Sequence, residues 1–580
     1  MKKVVAAIDF GTSGTTYAFA FTDKRDNIVT GKWNINDEKN PSELILDDVL
    51  NIKKFGNECK EYFGDQSSSE EKFHYFKNIK MELYKNQKEI AADNGGARQP
   101  LAFIISKILL KMKQEALKAI RARNPLILET EIEWKVTVPA IWNDQSKDIM
   151  RKACENAGIF NKNEQSTFFA LEPEAAACDY VMNNPCSNTI SPGTTYIVCD
   201  IGGGTVDIST HKRIEEDGKI FIEEVYPPIG GNNGSTYINK KFIDEVVVKL
   251  FGKEAMNKLI QKIKDPFKRQ DIYADYCDFL ESIDEFKINI SEDKRRKNEA
   301  KRINCTVFSE FIEKDKTIED LIDEYNQNCT NKNWKIKRHK EFKIYFPYQI
   351  MIDLTKEIIV DKTVKYINKI ISNISQVSTI IYAGSVSSNN YIISMIKKGI
   401  NKVVNHYLCT YPPVAVVKGA VVFGLNPYII KRRVSKFTIG IRCNEKWDEK
   451  KHGMHPEKKY FDFDDNCYRC KDIFSPIIER DQKISVDEIY SKNYDIKNGK
   501  TTITFYKTLY NNITFVDEKI VITSKCQKFG ELVFDVGDKY DKNDRDLIIE
   551  LEMGGTFISA NIKYKNERRR AYFDFTTEKG

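Results

Sequence analysis

Residues 194–212 read TTYIVCDIGGGTVDISTHK, and the fold can be worked outward from this stretch. An apolar run from Tyr196 to Cys199 ends in Asp200, passes through Gly202-Gly203-Gly204-Thr205, and re-emerges as Val206-Asp207-Ile208-Ser209. That is the pattern of strand, tight glycine turn and strand. Three residues without Cβ let the backbone bend sharply and bring its N–H groups close to a bound group. The Thr205 hydroxyl adds a donor. Asp200 and Asp207 add charge that would repel a phosphate unless a cation lay between, so the acidic pair implies magnesium. Taken alone, the same stretch also describes a structural hairpin with an acidic shoulder.

Residues 4–21, VVAAIDFGTSGTTYAFAF, repeat the arrangement: an apolar strand, Asp9, the turn Gly11-Thr12-Ser13-Gly14-Thr15-Thr16, then another strand. Two Asp-x-Gly turns, one opening each half, indicate an internal duplication with a phosphate clamped between the halves.

Composition narrows the classes. A chain of 580 residues is too long for one core, so two or more domains are expected. The net charge of +7, from 91 basic and 84 acidic residues, is too mild and too interspersed to argue for nucleic acid. No charged and apolar leader precedes the first strand. The densest apolar run, Val414 to Leu425, contains Lys418 and Gly419 and is too short to span a membrane. Thirteen scattered cysteines argue for a reduced interior and against a disulfide framework, so a cytoplasmic location is expected.

Along the chain, Asn27 to Asn34 reads as a third strand, and the polar segment up to Ser69 as irregular, with a loop at Ser67-Ser68-Ser69. After Pro100, residues Leu101, Ile104, Ile105, Ile108, Met112, Leu117 and Ile120 recur at helical spacing. Trp134 to Val138 is a strand stopped by Pro139, and Asn143 or Asp144 caps a helix running to Gly158. Glu172 precedes Pro173 in a first helical turn. This alternation predicts α/β architecture. A further glycine-rich turn spans Ile229 to Ser235, and residues 262–345 read as a charged, helical, peripheral insert. Thr379 to Tyr382 is a strand followed by the turn Ala383-Gly384-Ser385, and a last helix ends at Gly424. From Asn426 helical periodicity disappears, and 501–510, 519–535 and 547–564 alternate in the strand pattern. A domain boundary is placed near residue 430, with Lys431-Arg432-Arg433 as a solvated linker.

Five motifs, IDFGTSGTTYAFAF, VTVPAIWND, LEPEAAA, CDIGGGTVDIS and YAGSVSSNNYI, resemble in order the ATPase domain of Hsp70 chaperones. That domain belongs to the actin, hexokinase and Hsp70 superfamily. Similarity at FKNIKMELY, GGNNGSTYIN and VKGAVVFG points to the divergent branch called heat shock 70 kDa protein 12. KFTIGI resembles the start of an Hsp70 substrate-binding β-domain. The resemblance implies a duplicated, ribonuclease-H-like, two-lobed ATPase domain over residues 1–430, with lobes of roughly 1–193 and 194–430, and a β-rich partner-binding domain over 431–580 without a helical lid.

The resemblance also implies roles. ATP or ADP would bind with magnesium, whose waters Asp9, Asp200 and Asp207 would hold. Thr205 would contact the γ-phosphate or the attacking water, Glu172 would orient that water, and Lys80 would stabilise charge on the phosphate. Gly11, Thr12, Ser13, Gly14, Thr15 and Thr16 would form one phosphate turn, either Thr12-Ser13 or Thr15-Thr16 meeting the phosphate, and Gly202, Gly203 and Gly204 the other. Gly230, Gly231, Lys287, Gly384 and Ser385 would lie near the nucleoside. The family's adenine-stacking arginine falls at Ile288, and a basic segment replaces its apolar linker. A client protein or peptide and a co-chaperone or exchange factor are the implied partners.

Plainer readings stand beside these. Glu172 also suits a helix N-terminus by charge alone, Lys80 also reads as a surface lysine, and Ser385 as a turn serine. His452, His455, Cys467 and Cys470 supply four donors for a tetrahedral zinc site, or are reduced cysteines beside unrelated loop histidines. At the level of function, a nucleotide-binding scaffold with little hydrolysis and a small-molecule kinase of the same superfamily are the rivals of a slow chaperone ATPase.

Overall fold

The computed structural model describes residues 2–33, 38–65, 72–95, 98–160, 168–183, 190–265, 270–313, 315–486, 488–496, 499–510, 512–517, 519–520, 523–537, 540–541, 544–552 and 559–572. The loop assigned to Ser67-Ser68-Ser69 lies outside the described residues. The chain divides into two compact units, Met1–Ser209 with Pro228–Pro427, and Thr210–Pro227 with Tyr428–Gly580.

The first unit starts with strands β1 (Val4–Phe10), β2 (Gly14–Phe21) and the short β3 (Val29–Thr30). Later come β4 (Ile132–Val138) and β5 (Phe169–Leu171), and the sheet order is β5-β4-β1-β2-β3. β1 runs parallel to β4 and antiparallel to β2. A second sheet contains β6 (Thr195–Ile201), β7 (Val206–Glu216), β8 (Lys219–Gly231), β9 (Val377–Ala383) and β10 (Asn405–Leu408), in the order β10-β9-β6-β7-β8, and the stretch Thr210–Pro227 of β7 and β8 belongs to the second unit. Numbered along the chain, these five strands of each sheet share the order 5-4-1-2-3, so the repetition legible in the two acidic glycine turns extends to the topology of these strands. Every residue of β1 and β6 is buried. Parallel central strands covered on both faces are continuously apolar, and each of these runs stops at its aspartate.

Among the described residues, helices α1 (Leu101–Arg123), α2 (Asp144–Asn156), α3 (Glu172–Asn183), α4 (Gln270–Ile288) and α5 (Ala415–Leu425) frame the site, and the short helix Ile79–Tyr84 carries Lys80. All seven apolar residues at helical spacing in α1 are buried. Asn143 caps α2, its side chain accepting from Ser146 N at 2.9 Å. α3 and α5 pack so closely that a Cβ on Gly419 would overlap the Ala175 carbonyl. Two expectations change. The third strand shrinks to two residues, and Asn34 lies outside the described residues. The insert at 262–345 is not simply helical, because Ala300–Asn304, Lys343–Pro347 and Lys337–Lys340 form a three-stranded sheet within it.

The second unit is built from strands. β11 (Ile430–Val434), β12 (Thr438–Lys446), β13 (Lys459–Asp462), β14 (Cys467–Ile478) and β15 (Lys483–Ser485) come first. β16 (Ile489–Asp495), β17 (Lys500–Thr508), β18 (Gln527–Asp535), β19 (Asp546–Glu552), β20 (Ser559–Tyr564) and β21 (Glu567–Tyr572) follow. One sheet has the order β13-β14-β12-β17-β18 and another β16-β19-β20-β21. Ile439, Ile441 and Phe505 from the first meet Leu547, Ile549 and Leu551 from the second in one core.

The basic segment expected to be a solvated linker is instead strand β11. It pairs in parallel with β8 and antiparallel with β15. Its charges are matched locally: Arg432 and Lys483 both reach Glu223 Oε1, at 3.2 and 3.0 Å, and Lys431 pairs with Glu216. Val434 N donates to Glu224 Oε1 at 2.9 Å, and Arg433 is buried. Composition misled because the carboxylates that neutralise this strand lie more than two hundred residues earlier. Replacing Glu223 by Ala removes a buried acceptor shared by two cations. The expected cost is about 1–3 kcal/mol in denaturant unfolding of this unit; an unchanged midpoint would show that the ion pairs do not hold β11.

The zinc expectation is also corrected. Cys467 and Cys470 sit three residues apart on regularly paired β14, so they face opposite sides of the strand. Cys470 is buried against Ile473 and Phe515. His452 is buried, with Nδ1 accepting from Asp448 N at 3.0 Å, while His455 packs edge-on to Phe515 beside Glu457. Among the described residues no group of three or more His, Cys, Asp or Glu is spaced to hold a metal directly.

Candidate functional site

β1 and β6 each deliver an aspartate to a glycine turn. Asp9 is 3% exposed and both its oxygens are engaged. Thr137 Oγ1, on β4, donates to Oδ1 at 2.7 Å, and Lys39 Nζ donates to Oδ2 at 2.7 Å. On the other side, Asp207 is fully buried, with Oδ1 accepting from Ile141 N at 3.2 Å. Its Oδ2 has no partner in hydrogen-bond geometry among the described residues. The Thr205 hydroxyl neighbours both the Asp207 carboxyl and the Tyr84 phenol.

Lys80 and Glu172 form the second ion pair of the site, Nζ to Oε1 at 2.7 Å, both buried. The Lys80 ammonium also lies over the Trp142 ring, 5.4 Å from its centroid. Glu172 opens α3 as its first residue, so α3 brings it to the site and the Gly419 contact fixes α3 against α5.

The two glycine turns are in contact. A Cβ on Gly203 would lie 2.9 Å from Ser13 Oγ, and one on Gly204 would lie 3.0 Å from Met81 Sδ and overlap Thr12 Oγ1. The carbonyls of Gly202, Gly203 and Gly204 accept from Ser235 N at 3.2 Å, Thr236 N at 2.8 Å and Gly234 N at 3.0 Å. The second turn is therefore held from behind by the glycine-rich loop that the sequence showed at 229–235. At Gly384, φ is +83° and a Cβ would overlap Asp200 Oδ1. Only glycine takes this backbone without strain while leaving the carboxylate in place.

The structure distinguishes the two halves of the first turn. Thr15 and Thr16 are fully buried within β2, and Thr15 Oγ1 bonds Ser42 Oγ at 2.7 Å. Thr12 and Ser13 line a cleft of about 480 Å³ that also reaches Lys287 and Asp284 on α4. Lys287 Nζ is 2.6 Å from Asp284 Oδ1. Gly230, Gly231, Gly384 and Ser385 do not line this cleft. Gly230 packs on the Val206 carbonyl, Gly231 lies against Tyr366 and Asn233, and Ser385 is exposed at the start of the short turn Ser385–Ser388.

Crowding of carboxylates governs the charge state. Burial, then repulsion from Asp207, Asp9 and Asp200, pushes Glu172 up to about 8 against the pull of Lys80. Burial and Asp207 push Asp200 up to about 7. Burial raises Asp207 as well. Asp9 goes the other way: burial would raise it, but Lys39 and Lys80 hold it below the usual carboxylate range. Burial likewise works against the charge of Lys39, and Asp9, Asp200 and Glu172 outweigh it. Four carboxyl groups share two ammonium groups, and the repulsion among them is relieved either by a bound proton or by a further cation.

Lys39, Ser42, Tyr84, Thr137 and Trp142 are site residues that sequence reading did not single out. Thr137 and Trp142 lie inside the VTVPAIWND motif and could have been found there. Lys39 and Ser42 belong to a polar stretch with no periodicity, and nothing local distinguishes them.

A repeated α/β sheet whose central strands end in facing acidic glycine turns is an actin/Hsp70-like ATPase fold, and the comparisons agree. The chain is 25% identical to heat shock 70 kDa protein 12A of Mus musculus over 96% of its own length and 89% of that protein. It is 23% identical to heat shock 70 kDa protein 12B of Homo sapiens over 85% of its length and 78% of that protein. A chaperone protein HscA homolog of Rickettsia typhi is 24% identical over 42% of this chain and 37% of that one. Residues 191–287 match a domain of unknown function, DUF8340. The similarity read from the motifs therefore extends over nearly the whole chain, to heat shock 70 kDa proteins 12A and 12B. Among the described residues no helix is long and apolar enough to cross a membrane.

Proposed function

We propose that this protein is an Hsp70-like ATPase that binds Mg-ATP between the two glycine turns and hydrolyses it slowly. The observation that carries the reading is the meeting of Asp9, Glu172, Asp200 and Asp207 with two lysines beside glycine turns in which a Cβ on Gly11, Gly203 or Gly204 would meet its neighbours at less than 3.0 Å. The residues present fit a nucleotide and its cation. The upward-shifted carboxyls of Asp200 and Asp207 offer acceptors for the waters of a hydrated ion. When bound, magnesium would supply charge neutralisation for the phosphates.

The chain's own groups would then divide the work. Thr12, Ser13 and the backbone of Gly202 to Thr205 hold phosphate oxygens. Asp9, Asp200 and Asp207 orient the water shell of the cation. Lys80 stabilises charge on the terminal phosphate, and Glu172 orients the attacking water and receives its proton. Lys287, which lines the cleft together with Thr12 and Ser13, bounds the nucleoside side. In domain terms, residues 1–430 form the ATPase, with lobes of roughly 1–193 and 194–430, and residues 431–580 bind a client protein or peptide whose retention depends on nucleotide state. A co-chaperone or exchange factor would act on that cycle.

A second reading has a specific observation behind it. Glu172 is locked to Lys80 and raised to about 8, so in the empty protein the proton acceptor is not ready at neutral pH. A site in that state would bind nucleotide and signal occupancy with little turnover. Single-turnover hydrolysis of Mg-ATP by the full chain, beside an equilibrium titration and an Asp200→Asn control, separates the two. The ATPase reading expects slow turnover that Asp200→Asn lowers at least about a hundredfold. Tight binding without turnover would establish the sensor instead, and no binding would remove both.

A further inference from the structure

The first glycine turn is crossed by a strap that the motif does not contain. Asn40–Pro41 pairs antiparallel with Gly14 and Thr15 at the start of β2. Ser42 Oγ donates to the Gly11 carbonyl at 2.6 Å and bonds Thr15 Oγ1, while Asn40 Oδ1 accepts from Asn57 N at 3.0 Å. The strap is thus fastened to the turn at one end and to the neighbouring helix at the other. Its leading residue is Lys39. A Cβ on Gly14 would lie 3.0 Å from Lys39 Cβ, so the side chain starts against the turn and runs to Asp9 Oδ2. The Lys39 side chain is 23% exposed, whereas that of Lys80 is 4% exposed. Of the two ammonium groups in the site, Lys39 is the one that solvent, or an incoming anion, can reach.

We propose that Lys39 is a further phosphate-binding residue of this site, and that its ion pair with Asp9 is exchanged for one with the β- or γ-phosphate of a nucleoside polyphosphate. This rests on the nucleotide-binding reading above. In the empty site the ammonium neutralises Asp9. A polyphosphate held at the first glycine turn, against which the Lys39 side chain starts, would offer the same ammonium a more highly charged anion, and Asp9 Oδ2 would be released to the water shell of the accompanying cation. Lys39 thereby offsets charge that magnesium alone would otherwise have to neutralise. Nucleotide binding in this protein should accordingly depend less steeply on magnesium than it would without Lys39. A merely structural Lys39 would stabilise Asp9 and the strap, and would make no distinction between ligands with and without phosphates.

The test uses the full chain with three variants, Lys39→Gln, Lys39→Arg and Asp9→Asn, and two probes, ADP and adenosine, titrated by calorimetry in excess EDTA and again in excess magnesium. In EDTA, Lys39→Gln should lose at least about tenfold in ADP affinity, equivalent to about 1.4 kcal/mol, with adenosine affinity unchanged. Magnesium should narrow the loss, and Lys39→Arg should restore most of it. Should Lys39→Gln fail to fold because Asp9 is left buried without a cation, the Asp9→Asn/Lys39→Gln double variant is compared with Asp9→Asn, and the same tenfold loss is expected. ADP affinities within twofold of the parent, in either comparison, overturn the assignment, as does an equal loss for adenosine. Wild-type protein that binds neither probe would instead remove the nucleotide reading on which the proposal rests.

Discussion

Gly419→Ala is expected to destabilise the first unit by about 3 kcal/mol, near the upper end of what overpacking costs. The position lies in α5 where it crosses α3. The nearest obstacle to a new Cβ is the backbone carbonyl of Ala175, not the tip of a flexible side chain. A side chain can rotate away, but the backbone carbonyl of a buried helix moves only if the helix moves. Ala175 is three residues from Glu172 on the same helix, so separation of the two helices also shifts the proposed water-orienting group. Denaturant unfolding should show a lowered midpoint, and single-turnover hydrolysis by the folded fraction should be slower than in the parent. A midpoint within experimental error of the parent would mean that α3 and α5 do not approach as closely as described.

Glu172→Gln is expected to slow single-turnover hydrolysis by about 10²–10⁴-fold, the usual contribution of a positioned proton acceptor, while changing Mg-ATP affinity only a few-fold. Glutamine keeps the size of the side chain and a hydrogen-bond acceptor for Lys80 but cannot take a proton. The pH dependence supplies an independent signature. Glu172 must ionise to accept a proton, so kcat/KM should rise with pH as the group titrates near 8, and that rise should vanish in the glutamine variant. Loss of binding in parallel with turnover would assign Glu172 to holding the site together instead.

The same ionisation bears on stability. A carboxyl raised from 4.5 to about 8 on folding binds its proton more tightly in the native state than in the unfolded chain. Its stabilising contribution is complete below about 4.5 and is lost as pH rises towards 8. Asp200, raised to about 7, acts in the same direction, and Asp9, held low by Lys39 and Lys80, acts in the opposite one. The thermal midpoint of nucleotide-free protein should therefore fall between pH 5 and 8, and Asp200→Asn should flatten the decline. A midpoint that climbs over that range would contradict the repulsion among carboxyl groups described for the site.

The strands ending in Asp9 and Asp200, the glycine turns after them, and helix α1 were legible because each is a local pattern. An apolar run that is buried on both faces, a stretch free of Cβ atoms, and a periodicity of 3.6 all declare themselves within a dozen residues. The duplication was legible for the same reason, since two local patterns can be compared without knowing how they pack. What the sequence alone determined was thus the α/β class and the repeated acidic glycine turns.

Only the tertiary structure decided which half of the first turn faces the cleft, because Thr15 is withdrawn by Ser42, a partner twenty-seven residues away. It also decided that Lys39 joins Asp9, that Lys431-Arg432-Arg433 is a paired strand neutralised by carboxylates near residue 220, and that His452, His455, Cys467 and Cys470 do not converge. In each case the deciding term is charge or hydrogen bonding between residues remote in the chain. Backbone propensity and hydrophobic periodicity act between neighbours and can be read along a sequence. The neutralisation of a buried charge depends on whatever the fold brings within about 3 Å of it, and that is settled only when the chain has closed on itself.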